Sequence, residues 1–205
     1  MASAQIKPTR QELLKLKNKL KIAEKGHKLL KDKRDGLIRA FLKIVKESLE
    51  LRKLVDERII EAQQLFSLAE ARTSAALLAA IAKNSKATVS LKTEKSNIMG
   101  VRISKMTASV QGDPFCYGVL DTNRDLDESL VSLNELMPDL VRLVELEDAA
   151  RRLAEEIEKT RRRVNGLEYV IIPGMKRDVR YIQAKLEESA RQEKVTLMKI
   201  KEQVA

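Results

Sequence analysis

The sequence predicts an all-α fold: a long antiparallel two-helix coiled-coil hairpin with a small β-hairpin and irregular head in the middle. Two segments of helical periodicity, residues 9–82 and 119–204, flank one short stretch whose pattern is not helical. Seven Gly and four Pro in 205 residues, with 34% charged and 3% aromatic residues, are typical of long helices rather than a compact core. The predicted domains are therefore the N-terminal long helix (1–83), the head (84–118) and the C-terminal long helix (119–205).

The first predicted helix begins at Thr9, a candidate N-cap that is followed three residues later by Glu12. From Leu13 the apolar residues follow a seven-residue repeat, and thirteen of the eighteen seam positions over nine heptads are apolar. This pattern predicts a coiled coil. The seam positions are Leu13, Leu16, Leu20, Ala23, His27, Leu30, Arg34, Leu37, Phe41, Ile44, Ser48, Leu51, Val55, Arg58, Ala62, Leu65, Ala69 and Arg72.

The middle of the chain, residues 84–118, breaks the helical pattern. Two short runs, 89–93 and 101–103, alternate apolar and polar residues on either side of the turn-like segment 96–100. This arrangement predicts a small β-hairpin. The Gly- and Pro-containing segment 111–118 predicts an irregular return to the second helix.

The second predicted helix begins near Leu120 or Asp121. Pro173 followed by Gly174 lies inside it, and a proline there removes one backbone hydrogen bond, so we expect a local bend. The predicted seam first comprises Leu126, Leu130, Leu133, Met137, Leu140 and Val144. After a phase shift it continues with Leu153, Ile157, Thr160, Val164, Leu167, Ile171, Met175, Val179, Ile182 and Leu186.

A long amphipathic helix needs a partner for its apolar stripe, and folding back on itself supplies one. The antiparallel pairing then joins residues whose numbers sum to about 200. Residues 1–46 hold fourteen Lys/Arg and four Asp/Glu, the remainder is neutral, and residues 113–148 carry ten acids against two arginines. The two charge blocks are predicted to lie at opposite ends. The basic end is therefore available to a nucleic acid or to an acidic protein partner.

No pattern for catalysis, metal binding or a cofactor stands out. His27 and the single cysteine, Cys116, are 89 residues apart, His27 occupies a seam position, and no Walker-type phosphate loop is present. The chain also lacks the ~20-residue apolar run that spans a bilayer, and MASAQIKPTRQ has no apolar signal core. We expect no catalytic, metal or cofactor site, no direct membrane insertion and a cytoplasm-facing location.

Two clusters of cations are candidate partner contacts. Lys15, Lys19 and Lys21 spread around the first helix. Residues 161–163 of the second helix are three consecutive arginines, which cover more than half of the helix circumference. Each cluster fits either a solvated face or a partner contact. Between residues 7 and 40 there is no aromatic side chain, and a single-stranded nucleic-acid groove favours such residues.

Two stretches go beyond a generic coiled coil. The first combines residues 8–10 (PTR), Leu13-Leu14, 23–26 (AEKG) and 29–37 (LLKDKRDGL), and the second is residues 156–174 (EIEKTRRRVNGLEYVIIPG). Together they resemble the D subunit of the V-type/A-type rotary ATPases, the central stalk. The resemblance covers both predicted helices, whereas the middle matches loosely. Gly166 departs from the family, where a small residue such as Ala is commoner.

The resemblance implies a non-catalytic rotor shaft that couples ATP synthesis or hydrolysis to ion translocation through a membrane rotor. Its implied partners are the ring of catalytic A and B subunits, the F subunit of the central stalk and a membrane-rotor adaptor subunit, with no nucleic acid. It implies a location at the cytoplasmic face of the cell membrane, as a peripheral part of a membrane complex. The alternative is a basic coiled-coil protein that binds nucleic acid or acts as a scaffold. The predicted partner-binding residues are Lys15, Lys19, Lys21, Arg34, Arg162, Arg163, Asn165 and Glu168.

Overall fold

The computed structural model describes residues 7–84, 87–112, 115, 117–118 and 122–204. The predicted all-α class, with long helices packed on each other and a small antiparallel sheet in the middle, is confirmed. Cys116 and the predicted helix start at Leu120 or Asp121 lie outside the described residues. The elements are α1 (Arg10–Arg72), α2 (Ala75–Asn84), β1 (Thr88–Ile98), β2 (Val101–Gln111), α3 (Arg124–Gly166), a π-helical turn (Leu167–Ile171) and α4 (Ile172–Val204).

The chain divides into two compact units. The terminal unit comprises Met1–Asp35 and Ile157–Ala205, and the central unit comprises Gly36–Glu156. The terminal unit therefore brings the start of α1 together with the end of α3, the π turn and α4. The central unit contains the rest of α1 and α3 together with α2 and the β-hairpin. The three-part division at residues 83 and 118 follows the sequence pattern instead and stays a prediction.

Two side-chain contacts within the terminal unit show an antiparallel helix pairing. Glu24 Oε1 lies 2.9 Å from Lys176 Nζ, and Glu168 Oε2 lies 3.3 Å from His27 Nε2. The residue numbers of these pairs sum to 200 and 195, close to the value that the sequence predicts. Exposed ion pairs add little stability, so their value here is as markers of register.

The central unit shows the same antiparallel register through three ion pairs between α1 and α3. Their residue numbers sum to between 197 and 199. The pairs are Arg52 with Glu147 (3.3 Å), Arg58 with Asp139 (2.6 Å) and Arg72 with Asp125 (2.7 Å).

The predicted seam of α1 is confirmed. Sixteen of its eighteen positions are buried or half-buried, and Leu37, Val55 and Ala69 are almost completely enclosed. The two exposed positions are Arg58 and Arg72. Both reach a carboxylate of α3, so these apparent breaks in the heptad pattern become polar contacts beside the apolar seam.

The first helical segment is broken at Thr73 and Ser74, where the sequence predicted continuous helix to residue 82. Ser74 caps α2, because its hydroxyl and its carbonyl oxygen both accept from the N–H of Leu77, at 3.3 and 3.0 Å. Thr73 Oγ1 accepts from Asn123 Nδ2 at 3.4 Å. Hydroxyl side chains can form hydrogen bonds that replace those of a continuous helix. This explains why the helix breaks here without Pro or Gly.

The predicted seam was wrong at two positions in the first half of α3. Leu133 and Val144, both assigned to the seam, are 44% and 53% exposed, whereas Leu136 is 1% exposed and Ser129 is 4% exposed. Ser129 Oγ donates to the carbonyl of Leu126, which satisfies the hydroxyl within its own helix. The apolar residues of this segment serve two faces, one toward α1 and one toward α2 and the hairpin, so a single stripe could not be read from them.

A π turn stands directly before Pro173, and the local bend expected there stays a prediction. The N–H of Ile172 donates to the carbonyl of Leu167, which places one more residue in this turn than an α-helix has. Pro173 lacks an N–H and its ring would crowd the carbonyl of Tyr169, so the wider turn relieves a clash. Ile171, which the sequence placed on the seam, is 42% exposed as a result.

The predicted β-hairpin is confirmed and is longer than its alternating runs. Eleven residue pairs join β1 to β2, from Thr88 with Gln111 to Ile98 with Val101. Met99 and Gly100 form the two-residue turn with φ values of 52° and 90°, as a type I′ turn requires.

Candidate partner-binding surfaces

All eight predicted partner-binding residues lie in the terminal unit. This unit holds 23 Lys/Arg and 11 Asp/Glu, whereas the central unit holds 17 and 19. The positive charge of the chain therefore belongs to the terminal unit, at +12, while the central unit is at −2. A charge excess of this kind acts over a Debye length of about 8–10 Å at ordinary salt.

The lysines of α1 begin one turn after its N-terminus. Thr9 is the N-cap, as predicted, because its Oγ1 accepts from the N–H of Glu12 at 3.2 Å. Lys15 lies 3.3 Å from the Glu12 carboxylate and is thus partly neutralised. Lys19 and Lys21 are exposed and form no salt bridge with any described residue, so their charges face solvent.

Arg34 differs from the other candidates. Its side chain is 25% exposed and donates through Nε and Nη2 to Asp35 Oδ1, at 3.0 and 2.8 Å. Adjacent helical residues normally diverge, so this contact uses the length of the Arg34 side chain. A local role in holding Asp35 competes with a partner role at this position.

The candidates on α3 and the π turn have different surroundings. Arg162 donates to Glu158 one turn earlier, while Arg163 and Asn165 are exposed. Glu168 lies within the π turn and meets His27 of α1, which is 21% exposed. The structure thus brings Glu168 to the antiparallel contact, whereas Arg162, Arg163 and Asn165 lie on its solvent side.

Exposed apolar side chains accompany these cations, and the sequence analysis missed them. Leu14, Ile22 and Leu29 are 64–70% exposed on α1, and Tyr169 and Val170 are 71% and 60% exposed in the π turn. The three α1 residues fall outside the heptad seam, which is the signal that could have identified them. Contiguous patches of such residues often mark protein–protein contacts, whereas single ones are common on any protein surface.

The central unit contains an acidic site that is already neutralised. Asp148 receives hydrogen bonds from Arg151 and Arg152, at 2.6 and 2.7 Å, and its side chain is 12% exposed. The bond from Arg151 is the largest cause that lowers the pKa of Asp148, and it outweighs the opposing effect of burial. Both arginines lie on α3, one turn after Asp148, so the contacts of this carboxylate are within its own helix.

An open apolar cavity of about 300 Å³ lies in the central unit between α1, α2, the hairpin and α3. Asn134 is the polar side chain on its wall. Its apolar lining includes Phe66, Leu78, Val89, Val110, Leu130 and Met137.

The described residues include neither a candidate metal centre nor a candidate membrane span. In this part of the chain, no group of three or more His, Cys, Asp or Glu side chains is placed to hold a metal ion. Over the same residues, no helix has the length and apolar content that crossing a membrane requires.

The fold and these surfaces define a coiled-coil protein with exposed charged and apolar side chains along its helices. Residues 12–202 match the family model described as the D subunit of ATP synthase. The chain is 44% identical to the D subunit of the V-type ATP synthase of Streptococcus gordonii, over 98% of this chain and 100% of that protein. The identity is 41% to the protein of that name from Streptococcus pneumoniae and 40% to that from Acetivibrio thermocellus, over 98% of this chain and 100% and 93% of theirs.

The chain belongs to the family of ATP synthase D subunits. It is a central-stalk subunit of a V/A-type ATPase and thus part of a multi-subunit, membrane-associated complex.

Proposed function

We propose that this subunit is a non-catalytic rotor shaft that couples ATP synthesis or hydrolysis in a catalytic ring to ion translocation. The terminal unit lies within the ring of A and B subunits. The central unit contacts the F subunit of the central stalk and the adaptor subunit of the membrane rotor, at the cytoplasmic face of the membrane. The alternative, a basic nucleic-acid-binding or scaffold coiled coil, is favoured by no observation.

The observation that carries this proposal is the +12 charge of the terminal unit. Both antiparallel helical segments of the unit contribute to this charge. Lys19 and Lys21 contribute from α1, and Arg163 contributes from α3. A rotating shaft must release each contact at every step. Distributed, solvent-screened charge attracts an acidic ring in many orientations without one deep contact that would hold the shaft still.

Reversing the charge of three exposed lysines tests this role. Lys15→Glu, Lys19→Glu and Lys21→Glu together change the terminal unit by six charges. We expect the triple variant to keep its helical circular dichroism but to assemble poorly with the catalytic ring. Assembly and ATP hydrolysis of the reconstituted complex are measured across a salt series from about 0.05 to 0.5 M, because screening weakens the electrostatic attraction.

The matched control reverses three exposed lysines of α1 that belong to the central unit, Lys43, Lys46 and Lys53. It carries the same change in charge and is expected to assemble with the ring as the wild type does. Wild-type assembly and salt dependence in the terminal triple variant would contradict the proposed ring contact. ATP hydrolysis by the isolated wild-type chain would contradict the non-catalytic role.

A further inference from the structure

The two edges of the β-hairpin can be told apart by one hydrogen bond. The N–H of Met106 in β2 donates to Glu145 Oε2 of α3 at 3.0 Å, so it points away from β1. Met106 is paired with Thr93, which makes this a non-hydrogen-bonded pair of the antiparallel ladder. The two-residue turn between Ile98 and Val101 makes these two residues a hydrogen-bonded pair. Counting back from that pair also makes Thr93 and Met106 a non-hydrogen-bonded pair.

This phase determines which main-chain groups of β1 face outward. Since Thr93 lies in a non-hydrogen-bonded pair, every second residue on either side of it also turns its N–H and C=O away from β2. These five residues are Val89, Leu91, Thr93, Lys95 and Asn97.

The outer edge of β2 is covered, whereas the outer edge of β1 is open. Glu145, which accepts from β2, is 7% exposed and is held by Arg142 Nη1 at 2.6 Å. Residues 88–95 of β1 are all exposed. Across the described part of the chain, none of the ten outward main-chain groups of β1 has a hydrogen-bond partner. Such an open edge is a template for another strand.

The charge of the hairpin indicates what kind of strand fits. Residues 88–111 carry four cations and one anion, Glu94. All four cations are exposed, and none forms a salt bridge with a described residue. A second copy of this hairpin would bring like charges together, whereas an acidic segment would complement them. The cations are Lys92, Lys95, Arg102 and Lys105.

We propose that the outer edge of β1 is a strand-addition site for an extended, acidic segment of another protein of the ATPase complex. The incoming segment pairs its main chain with Leu91, Thr93 and Lys95 and places its carboxylates beside the hairpin lysines. The inference rests on membership in a multi-subunit complex and does not depend on rotation or on the contacts of the terminal unit.

Residue-resolved amide hydrogen exchange compares the isolated chain with the intact ATPase complex. In the isolated chain, the outward amides of Leu91, Thr93 and Lys95 exchange rapidly, while the inward amides of Lys92 and Glu94 are protected by the ladder. In the complex, we expect the outward amides to slow by about tenfold or more, because exchange then requires opening of the added strand. The inward amides change less, so the alternation along β1 is reduced.

Three results would overturn the proposal. Equal exchange of the outward amides in the isolated chain and the complex would show that no strand is added. Equal slowing of inward and outward amides would show that a partner covers the whole hairpin without pairing to its edge. Added protection that is insensitive to salt between about 0.05 and 0.5 M would contradict an acidic partner.

A substitution at the centre of the edge gives an independent test. Thr93→Pro removes one outward N–H, and proline is tolerated on an edge strand whose N–H faces solvent. We expect it to return Leu91 and Lys95 in the complex to the exchange rates of the isolated chain. Thr93→Val keeps the N–H and is the matched control, with exchange as in wild type. Protection that persists in Thr93→Pro would contradict pairing at this edge, and the wild-type comparison decides if the variant does not fold.

Discussion

The side chain of Met99, at the tip of the β-hairpin, occupies the space next to Gly36 of α1 in which a Cβ atom would stand. Met99 Sδ would lie 3.0 Å from such an atom, and Cε would lie closer still. The absence of a side chain at residue 36 therefore allows the turn to lie on the helix. Gly26 on the same helix has nothing within 4 Å of its Cβ position, so the two glycines form a natural comparison.

Replacing each glycine by alanine separates helix propensity from this contact. Gly26→Ala is expected to stabilise the protein by up to about 1 kcal/mol, the propensity difference between the two residues. Gly36→Ala gains the same propensity but must displace Met99, so its net gain is smaller. Chemical denaturation measures both changes in the free energy of unfolding.

Met99→Ala supplies the control for this comparison. In the Met99→Ala background, Gly36→Ala should stabilise by as much as Gly26→Ala does, because the displaced side chain is gone. Equal effects of Gly36→Ala with and without Met99 would show that the hairpin tip does not depend on the missing Cβ.

The burial observed along α3 predicts different costs for two residues that the sequence placed on the seam. Leu153 is completely buried, and Leu153→Ala is expected to cost about 3 kcal/mol through lost burial and the cavity left behind. Val144 is 53% exposed, and Val144→Ala should cost less than about 0.5 kcal/mol. Equilibrium unfolding of the two variants measures both costs. Equal costs would show that Val144 lies on the buried seam, as the sequence predicted.

The sequence predicted those features that depend on a regular repeat. The heptads of α1 predicted its buried face, including the fully buried Leu37, because a seven-residue repeat can be recognised in a single sequence. The break at Ser74 was missed because hydroxyl capping acts locally and leaves the apolar period almost unchanged. Leu133 was misassigned because α3 packs on two sides, and one amphipathic stripe cannot represent two contacts.

The candidate surface was predictable in its charge but not in its detail. The excess of lysine in α1 is visible in composition alone, whereas the engagement of Arg34 with the neighbouring Asp35 depends on a side-chain conformation. From Pro173 the sequence predicted a local bend. The π turn at Leu167–Ile171 and the exposure of Tyr169 there depend on how the backbone relieves the clash with the proline ring.

The stability of the protein at acidic pH should depend on Asp148. Its pKa is lowered from the usual 3.8 by the hydrogen bond from Arg151, so its contribution is fully present above about pH 4 and is lost as pH falls through the lowered value. We expect Asp148→Asn to be less stable than wild type at neutral pH. The difference should shrink below about pH 4, as measured by urea unfolding at each pH. A difference that is constant with pH would contradict an ionic role for Asp148.

The π turn changes the phase of the seam within the terminal unit. A strict heptad continued from Val164 would turn Ile171 and Tyr181 inward, yet these are 42% and 52% exposed. The buried residues are Val179 and Ile182, one position later in phase, which is the displacement that one extra residue in the turn produces. The π turn thus acts as an insertion of one residue in an otherwise regular helix.

Deleting one residue from this turn should therefore leave the packing of α4 intact. In a variant that lacks Val170 and carries Pro173→Ala, a continuous α-helix should replace the π turn while Val179 and Ile182 stay buried. Its free energy of unfolding should lie within about 1 kcal/mol of wild type, because Val170 is 60% exposed and the proline no longer crowds the backbone.

The matched control deletes a residue outside the π turn. Removing the exposed Arg177 rotates everything after it by about 100°, which turns Val179 and Ile182 out of the seam and should cost more than about 2 kcal/mol. Thermal and urea unfolding of both deletions, with helical circular dichroism, make the comparison. Equal destabilisation by the two deletions would mean that the π turn does not contain the extra residue that shifts the seam. A stable helix after deletion of Val170 would show that α4 keeps its packing without it.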